Sequence, residues 1–387
     1  MKKDGNHILT KVVHSASELE QYLDCWEKLA RNASEPNVFY EPGPLLAALN
    51  NANKNLAFTC LLVFFKDTSD QNDEGQLIGL FPFQYQKDTR WPICGIYQTF
   101  THRHCYLSTP LVHNERIAEA LNCFFDWVNS TPNGVKLFRL HRMNGTGILA
   151  EAFRRKIKQS QQPTMHGSCY QRAFISLKSN AEKYISQSLS KHKQKEYRRL
   201  RRRLKEQGKL RLETAHDDQQ HQWLDRFLAL EGSGWKGEYG HAMDNNSSDS
   251  GFFYDLIDSL GQRRRLILHT LWVDNHAIAM KCNLIAADEQ SSFAFKIAYN
   301  EDYSLFSPGV LLELDNIFNL FNQHPQLHWM DSCADPDHPM INHLWKERRT
   351  IEDFLIGSRS ISGRIKILLL KLQRRVARQG VKRDNAH

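Results

Sequence analysis

Apolar residues recur at every second position in three consecutive stretches, LILHTLWV (266–273), AIAMKCNLIA (277–286) and SSFAFKIAY (291–299). The gaps between them, Asp274-Asn275 and Ala287 to Gln290, are short and polar, so the pattern predicts an antiparallel meander. FTCLLVFF (58–65) and LIGLFPFQYQ (77–86) flank the polar run KDTSDQNDEGQ and predict a hairpin. VKLFRLHRM (135–143) and LHWMDSC (327–333) read as two further strands. Helical spacing marks Ser17 to Arg31, Glu115 to Val128, stretches near 181–207 and 217–231, and the residues after Ser307 up to about Phe321.

An order of strand, Ser/Thr-Pro loop, helix and strand occurs twice, from Tyr106 to Met143 and from Phe293 to Cys333. The repeat predicts an α+β fold with two related domains, each a mostly antiparallel, splayed sheet flanked by helices. The polar segment KQSQQPTMHGS (158–168) is the expected linker, giving domains 1–165 and 166–362 followed by a basic helical tail, 363–387.

Composition narrows the class. The chain has 387 residues, 41% hydrophobic and 24% charged, enough for two cores in a globular protein. No apolar run approaches the roughly 20 residues that span a bilayer. Met1-Lys2-Lys3 is followed by no apolar stretch, so a cytoplasmic chain is expected. Eight scattered cysteines without a CxxC pair fit a reducing compartment and give no zinc or disulfide pattern. The net charge of +8 is concentrated: Ser190 to Arg211 carries +9 and Gly363 to His387 carries +7, so the remainder is acidic. An anionic partner is to be sought at those two segments.

The stretch FAFKIAYNEDYSLFSPGVLLELDNIF (293–318) carries the candidate chemistry. In its strand, Phe293, Phe295, Ile297 and Tyr299 share one face, and Ala294, Lys296 and Ala298 share the other, which reads as shallow and open. Ser307 suits an N-cap, Pro308 the first helical position, and Gly309 removes bulk at the second. The amides of Gly309, Val310 and Leu311 are then expected to lack intrahelical acceptors and to face an anion such as a diphosphate. The plainer reading is ordinary helix capping, with a helix over the alanine face and Lys296 reaching solvent.

FLALEGSGWKGEYGHAM (227–243), FKIAYNEDYSLFSPGVLL (295–312) and MDSCADPDHPMINHLWKERR (330–349) resemble the CelD/BcsL-like branch of GNAT acyltransferases, as do PNVFYEPGPLLAAL (36–49), LIGLFPF (77–83) and HRHCYLSTPLV (102–112). That branch is related to the FemAB peptidyltransferases and is associated with cellulose and exopolysaccharide biosynthesis. The resemblance implies tandem GNAT-like domains, with the second active because STPLV in the first lacks the glycine. It also implies acetyl-CoA or another acyl-CoA as co-substrate and no metal. The thioester arm would lie beside Lys296, Ile297 and Ala298, with the diphosphate at Ser307 to Leu311. The acceptor it implies is an amine or hydroxyl on a small molecule or lipid-linked saccharide. A FemAB-like transfer from aminoacyl-tRNA and a silent scaffold in a polysaccharide machine are the two rival functions.

Candidate catalytic groups follow from the same segments. Glu231 is a candidate base and Lys236 an anion contact, five residues apart around Gly-Ser-Gly, although a helix end with surface charges gives the same string. Asp331 ends a strand, and Asp335 and His338 follow in its loop; a carboxylate and an imidazole there suit proton transfer, while Asp-Pro and His-Pro are also common turn formers. Trp235, Tyr299 and Asp335 are taken as substrate contacts, and Tyr299 and Tyr303 as candidate acids for a leaving thiolate. The spacing His269…Asp274 and the cluster His102, His104, Cys105 are set aside, the first as a strand-and-turn coincidence and the second for want of a second ligand pair.

The segment SLSKHKQKEYRRLRRRLKEQGKLR (188–211) reads as a helix with Leu189, Tyr197, Leu200 and Leu204 on a thin apolar stripe, ended by Gly208. It has no interleaved aromatic platform, so nucleic acid is not expected there. The tail aligns Ile361, Ile365, Leu368, Leu372 and Val376 on one helical face among Arg364, Lys371, Arg374, Arg375 and Arg378, as in helices lying on anionic lipid. The competing expectation is a last helix packed on the domain. Lipid binding through either segment would place the chain at the inner membrane face.

Overall fold

The computed structural model describes residues 6–52, 56–67, 75–87, 95–131, 136–234 and 243–384. They divide into two compact units, 1–40 with 54–170 and 350–387, and 41–53 with 171–349.

The first unit holds strand β1 (Asn6–Val13), helices α1 (Ala16–Glu20) and α2 (Leu23–Arg31), and the second unit receives α3 (Pro42–Asn50). The first unit continues with β2 (Phe58–Asp67), β3 (Gln76–Lys87), β4 (Gly95–Thr99), β5 (Leu111–Val112), α4 (Ile117–Ser130), β6 (Leu137–Asn144) and α5 (Ile148–Gln159). Strand β7 (Thr164–Ser176) runs through the boundary. The second unit then holds α6 (Ala181–Ser188), α7 (Lys191–Lys205), β8 (Leu210–Thr214), α8 (Gln220–Gly232), α9 (Ser247–Gly261), β9 (Leu266–Val273), β10 (His276–Ile285), β11 (Ser291–Tyr299), α10 (Pro308–Gln323), β12 (Trp329–Asp331) and α11 (Pro339–Leu344). Strand β13 (Glu347–Gly357) crosses back, and α12 (Ile361–Asp384) closes the first unit.

Both units repeat one topology. In the first, β1, β2, β3 and β4 pair antiparallel in order, β4 pairs parallel with β6 after a helical crossover, and β6 pairs antiparallel with β13. In the second, β8, β9, β10 and β11 pair antiparallel, β11 pairs parallel with β12 after α10, and β12 pairs antiparallel with β7. The fold is therefore α+β, with two tandem units of one kind. The strand equivalent to β11 in the first unit is β4, not YLSTPLV, of which only Leu111–Val112 is extended and pairs with β3. The expected linker is also structured: α5 reaches Gln159 and β7 starts at Thr164. The units are not contiguous in sequence. Helix α3 joins the second unit through Glu41, which is buried against Arg265 and accepts the Ala287 amide at 2.7 Å.

The first core gathers Leu61, Ile78, Phe81 and Phe83 with the inward face of α4, where Phe81 and Phe124 stack at 4.9 Å. In the second, Leu314, Ile317 and Leu320 of α10 lie on Ala173, Ile175, Ala294 and Met330. Gly208, after α7, has φ +156°, and a Cβ there would stand 2.3 Å from Asp274 Oδ2, while Asp274 Oδ1 accepts the Lys209 amide at 2.8 Å. Gly208→Ala is expected to cost about 1–2 kcal/mol, read as a lower urea midpoint. An unchanged midpoint would mean that the turn accommodates a side chain.

Candidate active site

The ladder between β11 and β12 is short. It pairs Ser291 with Trp329, Ser292 with Met330 and Phe293 with Asp331, and goes no further. A bulge in β11 just past Phe293 accompanies this splay. The register with β10 slips between Cys282 and Asn283, so Phe295 is an extra residue in β11. Its ring turns to Phe253 at 5.5 Å, while Phe293 meets Trp329 at 5.4 Å. Below the splay a cleft of about 510 Å³ opens, floored by Ile297, Ala298 and Tyr299 and walled by the start of α10.

The helix start differs from the expectation in a specific way. Ser307 occupies the left-handed region (φ +51°, ψ +55°) and its hydroxyl makes no capping bond. Its carbonyl instead accepts the Leu311 amide at 3.1 Å and the Val310 amide at 3.0 Å. The carbonyl at the cap always takes the first intrahelical bond, so Leu311 is one residue too far along to be a free donor. Leu311 is fully buried, packs with Leu204, Leu271 and Leu312, and does not line the cleft. Among the three amides proposed, Gly309's is the one with no acceptor among the described residues; the residue itself is buried, yet it lines the cleft. A fully buried Glu313 one turn on is neutralised by Lys281 at 2.8 Å and accepts from Trp345 Nε1 at 3.1 Å and Asn316 Nδ2 at 3.0 Å, which fixes the helix.

The structure brings Glu231, Ile297, Ala298, Tyr299, Ser307, Pro308, Gly309, Val310 and His338 to this one cleft. Glu231, in the last turn of α8, is buried and accepts the Met243 amide through Oε2 at 3.0 Å. His338 caps α11: its Nδ1 accepts from the Ile341 amide at 3.4 Å. Burial holds its pKa below the usual histidine value, against the opposing influence of Asp335. With Nδ1 turned to the Ile341 amide, Nε2 is the ring nitrogen left to serve the cleft. Tyr299 stands half-exposed at the mouth.

Other candidates are not brought there. Lys296 is half-buried with its Nζ over the Phe295 ring at 5.5 Å, outside the cleft lining. The alanine face is closed at one end only: Ala294 is buried under α10, whereas Ala298, also buried, lines the cleft. Asp331 is fully buried, ion-paired with Arg172 at 2.8 Å and Arg349 at 2.9 Å, and accepts the Cys333 amide at 2.8 Å. Burial alone would raise its pKa, but the two guanidiniums outweigh it and hold the carboxyl below its ordinary value. A carboxylate so committed is a structural anchor. Asp335 is exposed and away from the lining, and Tyr303 packs on the Leu311 cluster. Trp235 and Lys236 lie outside the described residues. His269 is a core residue: it bonds Thr214 Oγ1 at 2.9 Å, and burial lowers its pKa to about 3. Among the described residues no group of three or more His, Cys, Asp or Glu side chains is placed to hold a metal, and no helix is long and apolar enough to cross a membrane.

Sequence reasoning passed over Leu230, Gly234, Glu301, Ser304 and Met340, all of which line the cleft. Glu301 brings a second carboxylate, with Oε1 3.1 Å from where a Cβ on Gly234 would stand. Its position in the polar NEDYS turn directly after β11 was the available signal.

Comparison with known proteins bears on the fold that carries this cleft. Residues 191–331, from α7 to β12, match the sequence profile of the acetyltransferase (GNAT) domain family. The second unit thus carries a GNAT acyltransferase fold. The chain is similar in structure to that titled "Crystal structure of FemX", with TM-score 0.55 and 9% identity over 89% of this chain and 96% of that one. It is also similar to a conserved protein of unknown function from Bacteroides thetaiotaomicron VPI-5482, with TM-score 0.54 and 9% identity over 91% and 100% of the two chains. No curated protein sequence matches.

Proposed function

We propose that the protein is an acyl-CoA-dependent acyltransferase whose second unit holds the reaction, and that acetyl-CoA is its donor. The observation that carries this reading is the Gly309 amide at a helix start, without an acceptor among the described residues, beside a strand whose pairing with β12 stops at Phe293. A bare amide at the positive end of a helix suits a diphosphate, and a cleft along an unzipped strand suits an extended arm. Ser307 to Val310 would hold the phosphates, and Ile297, Ala298 and Tyr299 would flank the arm. The donor would supply an activated thioester; the chain supplies orientation and proton transfer. Glu231 takes the proton from the attacking group, and His338 Nε2–H or the Tyr299 hydroxyl donates where negative charge develops. Two carboxylates, Glu231 and Glu301, line the cleft, which favours an amine over a hydroxyl acceptor. The motif resemblance supports a sugar or envelope precursor as the carrier of that group.

Thermal unfolding with ligands separates the readings. A ligand at a hundredfold excess over its Kd adds about 2.7 kcal/mol of stability, so acetyl-CoA or CoA is expected to raise the transition by several degrees. Stabilisation by aminoacyl-tRNA with silence to CoA would establish the rival transfer, and silence to both would leave a scaffold. Glu231→Gln keeps an acceptor for the Met243 amide, so kcat is expected to fall about 10²–10⁴-fold while CoA stabilisation persists. Unaltered turnover would exclude Glu231 as the base.

A further inference from the structure

The last helix packs by one face and leaves an apolar stripe on the opposite one. Ile367 is buried against Leu137 and Leu355, with Leu370 beside it. At the helix start a Cβ on Gly363 would stand 2.2 Å from the Ser358 carbonyl oxygen. Farther along, Arg374 donates to the carbonyls of His166 and Gly167, the latter at 3.1 Å. These contacts fix the rotation of α12 about its axis. Ile361, Ile365, Leu368, Leu369, Leu372 and Val376 consequently face solvent, with Ile361 79%, Leu368 56% and Val376 69% exposed. At 3.6 residues per turn the six fall within an arc of roughly 100°. Burial in the core cannot explain a stripe that points away from it.

We propose that this outward face of α12 docks on an anionic lipid surface. Charge decides the occupant. Residues 363–387 carry eight Lys/Arg and one Asp. Arg364 and Arg375 border the stripe, and Lys371, Arg374 and Arg375 line a groove of about 700 Å³ against residues 165–169. A second copy of the chain would set those cations against their own equivalents. A bilayer bearing anionic headgroups offers hydrocarbon to the leucines and phosphate to the arginines, each surface cation being worth about 1 kcal/mol. The inference rests on this helix alone and stands apart from the acyltransferase reading.

The test is co-sedimentation of the full chain with phosphatidylcholine vesicles, with and without phosphatidylglycerol. Binding is expected only with the anionic lipid and weaker at high salt. The double substitution Leu368→Asp, Leu372→Asp, at exposed positions, is expected to weaken binding at least about tenfold, because it removes apolar area and adds like charge to the lipid, while leaving the thermal transition unchanged. Absence of binding to phosphatidylglycerol vesicles, or equal binding by the variant, overturns the proposal. So does a stripe substitution that instead converts a dimer to a monomer in light scattering, which would assign the face to a second copy.

Discussion

Replacing Asp331 with asparagine is expected to lower stability by about 3–5 kcal/mol, the cost of leaving buried guanidiniums without their counter-charge. Asp331 is wholly buried, and Arg172 and Arg349 both converge on its Oδ2. Arg172 lies on β7, Arg349 on β13 and Asp331 at the end of β12, so the substitution loosens the strands that close the splayed side of the second unit. The same argument sets a pH dependence. The folded carboxyl has a depressed pKa, so its contribution is complete above the unfolded value of about 3.9 and disappears as pH falls through the lower folded one. Urea midpoints at pH 7 and pH 3 measure both effects. A loss near zero at pH 7 would mean that the arginines are satisfied without Asp331. The variant is expected to keep CoA binding below its unfolding transition, because Asp331 is no part of the cleft.

Gly309→Asp is expected to weaken CoA binding by roughly thirtyfold or more, about 2 kcal/mol, by placing a carboxylate where the diphosphate is proposed to sit. The fold should accept it. A Cβ at Gly309 meets Tyr299 Cδ1 at 3.6 Å, Met340 Sδ at 3.8 Å and Ile297 Cδ1 at 4.0 Å, all ordinary contacts. Gly309 is buried, so the carboxylate loses some hydration among these apolar atoms, which the helix dipole offsets in part, and a modest loss of stability is expected. Binding measured well below the unfolding transition distinguishes a lost anion site from a damaged fold. Gly309→Ala, which adds bulk without charge, serves as the control and should lose much less. Equal affinity in the Asp variant would remove the diphosphate from this helix start.

What the sequence disclosed follows from which interactions are local. Strands β9 and β11 fall on the residues that alternation marks, because their inward side chains are buried in register and their turns are short. The start of α10 at Pro308 was equally legible, since proline and glycine act on their own backbone. Strand β7 was hidden because its first half is largely exposed and polar, and its pairing comes from backbone bonds that any side chain permits. The role of Asp331 was hidden for another reason: its partners lie 159 and 18 residues away, and no local pattern separates an anchored carboxylate from a catalytic one. Glu41 presents the same difficulty, being 224 residues from Arg265. In the cleft, Glu231, Tyr299, Ser307, Pro308, Gly309 and His338 were visible as short motifs, while Glu301 and Met340 become neighbours only when the strand, the helix start and the α11 loop converge.

The central claim, that the Gly309 amide receives a diphosphate beside the opened strand, is tested most directly by labelling glycine with ¹⁵N and titrating the protein with CoA. The chain has 20 glycines, few enough to resolve and to assign by single substitutions. The account predicts that the Gly309 resonance, identified by its loss in Gly309→Ala, moves with saturation at one equivalent, with Gly234 following and glycines of the first unit still. Saturating CoA that leaves Gly309 in place, or that shifts only glycines remote from α10, would contradict it.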